Sequence, residues 1–126
     1  MVDRKPSGKT GPLEAGWKLQ IIIDDKVILL DIADTMLIGR SVEGDDPGMF
    51  ALDLSPFSGY QSGVSRQHAT ISHHEGALYV EDHASTNGTR INGFQLTAHR
   101  KYRLRDGDEV EFARLRVVFH FVGPGD

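Results

Sequence analysis

The stretch WKLQIIIDDKVILLDI, residues 17–32, decides the fold class. Two aliphatic, β-branched runs, 17–23 and 26–32, flank Asp24-Asp25. Side chains of this kind favour a pleated, half-buried surface, and a short polar break between two such runs predicts a hairpin. The pattern continues outward. TMLIG (35–39) is a third short run, and MFALD (49–53) offers a brief fourth. HATIS (68–72) and ALYVE (77–81) flank a polar turn at 73–76. RKYRL (100–104) and EVEFA (109–113) flank Asp106-Gly107-Asp108, which reads as another hairpin turn, and RVVFHFV (116–122) closes the series. Asn92-Gly93, between TRI (89–91) and FQL (94–96), predicts a type I′ turn. No stretch of ten residues repeats apolar positions at i, i+3, i+4 and i+7. The expectation is an all-β chain, an antiparallel sandwich or barrel, with Phe112, Val118 and Phe119 in its core.

Composition narrows the function classes. The 126 residues contain no cysteine, which excludes a disulfide framework, a thiolate metal site and a cysteine nucleophile, and fits a reducing, cytoplasmic setting. Leu, Ile, Val and Phe supply 34 residues, enough for one core. A formal net charge of −4 argues against a generally basic nucleic-acid binder. No apolar run approaches 18 residues, so no membrane span is expected, and MVDRKPSGKTGP does not read as a secretory signal. Residues 1–15, rich in Gly, Pro, Lys and Ser, read as a flexible tail ahead of a single domain at 16–123.

Two segments carry more turn chemistry than hairpins need: 41–63, with Gly44, Gly48, Gly59, Gly63, Pro47 and Pro56, and 82–93, with two Asn-Gly pairs. Long loops on a small β scaffold are where binding concentrates. Three clusters border them: IGR (38–40), VSRQH (64–68) and STNGT (85–89). Loops separated by an even number of antiparallel strands emerge at one end, so a strand at 49–53 would gather all three into one site. Its chemistry is that of an oxyanion grip. Arg40 and Arg66 are permanent planar donors, Ser65 and Thr86 short hydroxyl donors, and Asn87 carries a donor and an acceptor suited to a peptide backbone. No base stands beside a nucleophile in the set, which is composed to hold a phosphate and not to cleave it.

Gly39-Arg40, SRQH at 65–68 and STNGTRING at 85–93, in this order and spacing with β runs between, resemble the forkhead-associated (FHA) domain over roughly residues 17–122. The resemblance implies an FHA-like (SMAD/FHA-like) β-sandwich of about eleven strands that binds phosphothreonine peptides through loops at one end. It implies that Arg40 and Ser65 contact the phosphate and that Arg66 reaches it. It implies too that Thr86 lines the phosphothreonine pocket and Asn87 bonds the peptide main chain. Gly39 and His68 match loop-shaping positions, and Gly88, Asn92 and Gly93 match turn positions. The departure from the family is the long 41–63 loop, with Phe57 and Tyr60 inside it. The implied partners are phosphothreonine proteins marked by a Ser/Thr kinase, with no cofactor, nucleic acid or membrane.

Plainer readings stand beside these. Arg40 alone would be a solvated strand-end arginine, Ser65, Thr86 and Asn87 turn residues, and Arg66 half of a salt bridge. His73-His74 point to opposite faces of a strand, and His68, His83, His99 and His120 lack ligand spacing, so no metal is expected. GxSxG is absent, and no enzyme is expected. The arginines and lysine at 100, 101, 103, 105, 114 and 116 read as strand edges and solvated faces. The alternative function is an interaction module with an idle phosphate site, or one filled by its own tail phosphorylated at Thr10.

Overall fold

The computed structural model describes residue 13 and residues 15–125; the rest of the 1–15 segment, Thr10 included, lies outside the described residues. Eleven strands form two sheets. The strands are β1 Lys18–Ile23, β2 Lys26–Asp31, β3 Thr35–Gly39, β4 Leu52–Asp53, β5 Gln67–His74 and β6 Ala77–Asp82. They continue as β7 Thr89–Ile91, β8 Phe94–Gln95, β9 Lys101–Leu104, β10 Glu109–Phe112 and β11 Leu115–Val122. One sheet runs β2-β1-β11-β10-β7-β8, the other β4-β3-β5-β6-β9. Every pairing is antiparallel except β3 with β4. This is the expected all-β sandwich.

Alternation along the strands builds the core. In β11, Leu115, Val117, Phe119 and Phe121 face inward, with Phe112 of β10 meeting Phe119 edge-on at 6.4 Å between ring centroids. Complete burial of such side chains contributes roughly 1.5–3 kcal/mol each. Phe112 and Phe119 lie where expected, but Val118 does not. The pleat turns it to the outer face, and Val117 takes the buried place. Leu13 is also buried, and its N–H donates to Gly76 O at 2.8 Å.

Local turn chemistry was a sound guide in three places. Asp24-Asp25 joins β1 to β2, with Asp24 at φ 54°. Asn92-Gly93 joins β7 to β8 with both residues at positive φ, as a type I′ turn requires. The 73–76 turn shortens to Glu75-Gly76, because β5 runs on through His74. Asp106-Gly107-Asp108 does not close a hairpin. β9 pairs with β6 and β10 with β7 and β11, so this turn carries the chain from one sheet to the other. Buried Asp108 serves the crossing, accepting from Arg105 N–H at 2.8 Å and from the Asn92 amide at 2.9 Å.

Candidate functional site

The three clusters do meet, for a simpler reason than strand parity. β3 and β5 are direct antiparallel neighbours, with Gly39 opposite Gln67, so the 40–66 loop leaves and returns at one end. β4 is two residues long and parallel to β3, so it adds no reversal. β6 then brings Asp82 back opposite Ala69, placing the 83–88 loop at the same end.

Gly39 sets the approach of the first two clusters. A Cβ on it would fall 1.9 Å from Arg66 O, and Arg40 N–H donates to that same carbonyl at 3.0 Å. Arg40 is half-buried. Its Nε–H donates to Val64 O at 3.0 Å, and its guanidinium carbon lies 5.1 Å from the Tyr60 ring centroid, a cation–π distance. Tyr60 is highly exposed.

Ser65 and Thr86 join the second and third clusters. The Ser65 hydroxyl oxygen accepts Thr86 N–H at 3.0 Å. Beneath them His68 is fully buried. Its Nδ1 accepts Ser65 N–H at 3.0 Å, which requires the ring proton on Nε2, where it donates to Gly88 O at 2.9 Å. Burial pushes its pKa down, against the raising influence of Gly88 O and Asp82, and the ring is neutral. His68 thus clamps both loops from inside, while its edge packs against Phe112 at 5.7 Å.

The 83–88 loop folds over the buried Asp82 carboxylate, which accepts from Ser85 N–H at 3.1 Å, the Ser85 hydroxyl, and the Thr89 hydroxyl at 2.6 Å. Burial pushes the Asp82 pKa up, but these bonds and His68 outweigh it and hold the pKa below the usual range. Gly88, at φ 83°, meets that loop's need for a left-handed residue. Asn87 is exposed. Its amide donates to Gly63 O at 2.9 Å, tying the 83–88 loop to the 40–66 loop and leaving its oxygen without a hydrogen-bond partner among the described residues. Asn92 and Gly93 stand apart from this end, at the β7–β8 turn, where the Asn92 side chain bonds Asp108 and Glu109.

The 41–63 loop is braced by Asp53. Its carboxylate accepts Ser41 N–H and Ser55 N–H at 3.0 Å each, and the Ser41 hydroxyl. Burial alone would raise the Asp53 pKa, yet these donors bring it down to about 2. Two participants escaped the sequence reading. Asp45 accepts from Arg66 Nη2 with both carboxylate oxygens, at 2.9 Å to each. Arg114 donates to Gln61 O at 2.9 Å, fastening the β10–β11 turn to the long loop. No local motif announces either contact, because each partner comes from a distant loop.

The arrangement defines a class before a family: a β-sandwich whose one end presents arginines, a hydroxyl and a free amide oxygen, with no nucleophile–base pair among these residues. The FHA domain family matches residues 36–113, and the chain belongs to it. Members of that family are recognition modules. Protein FraH of Nostoc sp. is 40% identical over 67 residues, which is 53% of this chain and 23% of that protein. The chain therefore spans under a quarter of that relative. The FHA domain of an Arabidopsis thaliana hypothetical protein is similar in structure, with a TM-score of 0.70, 20% identity and coverage of 93% and 95% of the two chains. Mycobacterium tuberculosis EmbR, solved in complex with a low-affinity phosphopeptide, gives a TM-score of 0.64 at 21% identity, covering 85% of this chain and 24% of that one.

Proposed function

We propose that this chain is a phosphopeptide-binding module, not an enzyme, that recognises phosphothreonine on partner proteins marked by a Ser/Thr kinase in the cytoplasm. Arg40 and Ser65 hold the phosphate, Arg66 adds a second charge, Thr86 lines the pocket and Asn87 holds the peptide main chain through its free oxygen. Gly39, His68 and Gly88 shape the loops, and Asn92-Gly93 shapes a turn away from them. The domain proper is residues 16–123, and neither a cofactor, nucleic acid nor a membrane is part of this function.

The single observation that supports this most is the joining of the three clusters by paired contacts, Arg40 N–H to Arg66 O and Thr86 N–H to Ser65 Oγ, which preorganises donors side by side. A phosphothreonine brings about −1.5 to −2 charge at pH 7. Each hydrogen bond to it contributes roughly 1.5–3 kcal/mol. Desolvation and peptide ordering offset much of the total, so binding should be micromolar, about −8 kcal/mol. A peptide library in phosphothreonine, phosphoserine and unmodified forms tests the reading. Binding confined to phosphorylated members, threonine above serine, supports it, and equal binding of unmodified peptides refutes it.

A second reading, an interaction module whose phosphate site is occupied from within, has one observation in its favour: the Asp45 carboxylate already sits on Arg66. The same library decides, since an internally filled site binds none of its members.

A further inference from the structure

Glu81, His83 and His99 come together on the outer face of the five-stranded sheet. One donor atom from each lies within 4.8 Å of the others. Glu81 and His83 sit two residues apart where β6 ends, so they project from the same face. His99 arrives from the loop before β9 and is held there by its own N–H, which donates to Asp82 O at 2.8 Å. That loop is also pinned by Thr97 N–H donating to the Tyr102 hydroxyl at 3.0 Å. The two imidazole centroids are 6.2 Å apart, and His83 Nε2 lies 3.1 Å from the Thr70 hydroxyl, a contact that orients its ring.

We propose that this triad is a site for one divalent ion of the zinc class. Two imidazoles and a carboxylate are the donor set of borderline ions, and three protein ligands leave a fourth position for water. Tetrahedral zinc with bonds of about 2.0–2.2 Å needs donor atoms roughly 3.4 Å apart, which small side-chain rotations can reach from the observed spacing. Lys101, opposite Glu81 in the strand register, is a rival cation for that carboxylate. His83 opens the 83–88 loop that carries Thr86 and Asn87, so the ion would brace the foot of that loop. The inference stands on this triad alone and does not depend on phosphopeptide binding.

His99 provides a clean test. It occupies the left-handed region at φ 64°, where glycine is at ease. His99→Gly therefore removes a ligand without straining the fold, and Glu81→Gln removes a second with little change in shape. Tag-free, chelator-treated protein should take up one Zn2+ per chain by calorimetric titration, and the ion should raise its melting temperature. Each variant should bind Zn2+ at least tenfold more weakly, with the thermal shift lost. No uptake by the wild type, or uptake unchanged in both variants, overturns the proposal.

Discussion

The Asp45 carboxylate accepts from Arg66 with both of its oxygens, each 2.9 Å from Nη2, while its Oδ2 also accepts Val42 N–H at 2.9 Å. A phosphate reaching Arg66 must share or displace a carboxylate already in place. Asp45→Asn keeps an acceptor for Val42 and removes the charge. We expect phosphopeptide affinity to rise about threefold to tenfold, on the order of 0.7–1.4 kcal/mol, measured by calorimetry. The gain should shrink as salt is added, because half-exposed Arg66 is screened. A loss of affinity would mean that Asp45 positions Arg66 instead of competing for it.

Gly39→Ala should be among the most damaging single-methyl changes in the chain. Its Cβ would meet Arg66 O at 1.9 Å, so β3 and the 64–66 segment must separate and the Arg40–Arg66 main-chain bond must break. We expect a loss of at least about 2 kcal/mol in urea unfolding, with phosphopeptide binding abolished in the folded fraction.

His68→Phe keeps the ring's bulk against Phe112 but strands Ser65 N–H, while Gly88 O keeps only its bond from Ala113 N–H at 2.9 Å. An unsatisfied buried group costs about 1–3 kcal/mol, so stability should fall by roughly that amount. Binding should weaken too, since Ser65 and the 83–88 loop lose their common support.

Acid should destabilise the fold in two stages. His68 is held neutral by burial, so its folded pKa lies below 6.5, and the unfolded chain binds the extra proton first. Stability is full above pH 6.5 and declines as pH falls toward the lowered folded value. His68→Phe should flatten that first decline. Asp82 and Asp53 have folded pKa values below 3.8, with Asp53 at about 2. Their contribution is present above pH 3.8 and is lost as pH falls toward 2. Chemical denaturation at a series of pH values checks both stages.

Much of this was legible in the sequence wherever the signal is local. Asn92-Gly93 and Asp24-Asp25 dictate their turns because the required positive φ falls on residues that tolerate it. Asp106-Gly107-Asp108 misled because a turn motif says that the chain changes direction, not which sheet receives it. Val118 misled because LRVVFHFV places adjacent valines on opposite faces, and the paired sheet, not propensity, sets the phase. The meeting of the three motif clusters at one end was readable from their order, whereas the Asp45–Arg66 pair and the Glu81–His83–His99 triad join residues that only tertiary folding brings together.

The central claim is that the three clusters form one grip on a phosphate, with Arg40 at its heart. Its most direct test is the dissociation constant of Arg40→Ala for the best phosphothreonine peptide bound by the wild type, with far-UV circular dichroism confirming the fold. Binding at least tenfold weaker, with the fold intact, is the predicted result. Affinity equal to the wild type, or wild-type binding that survives removal of the phosphate, would contradict it.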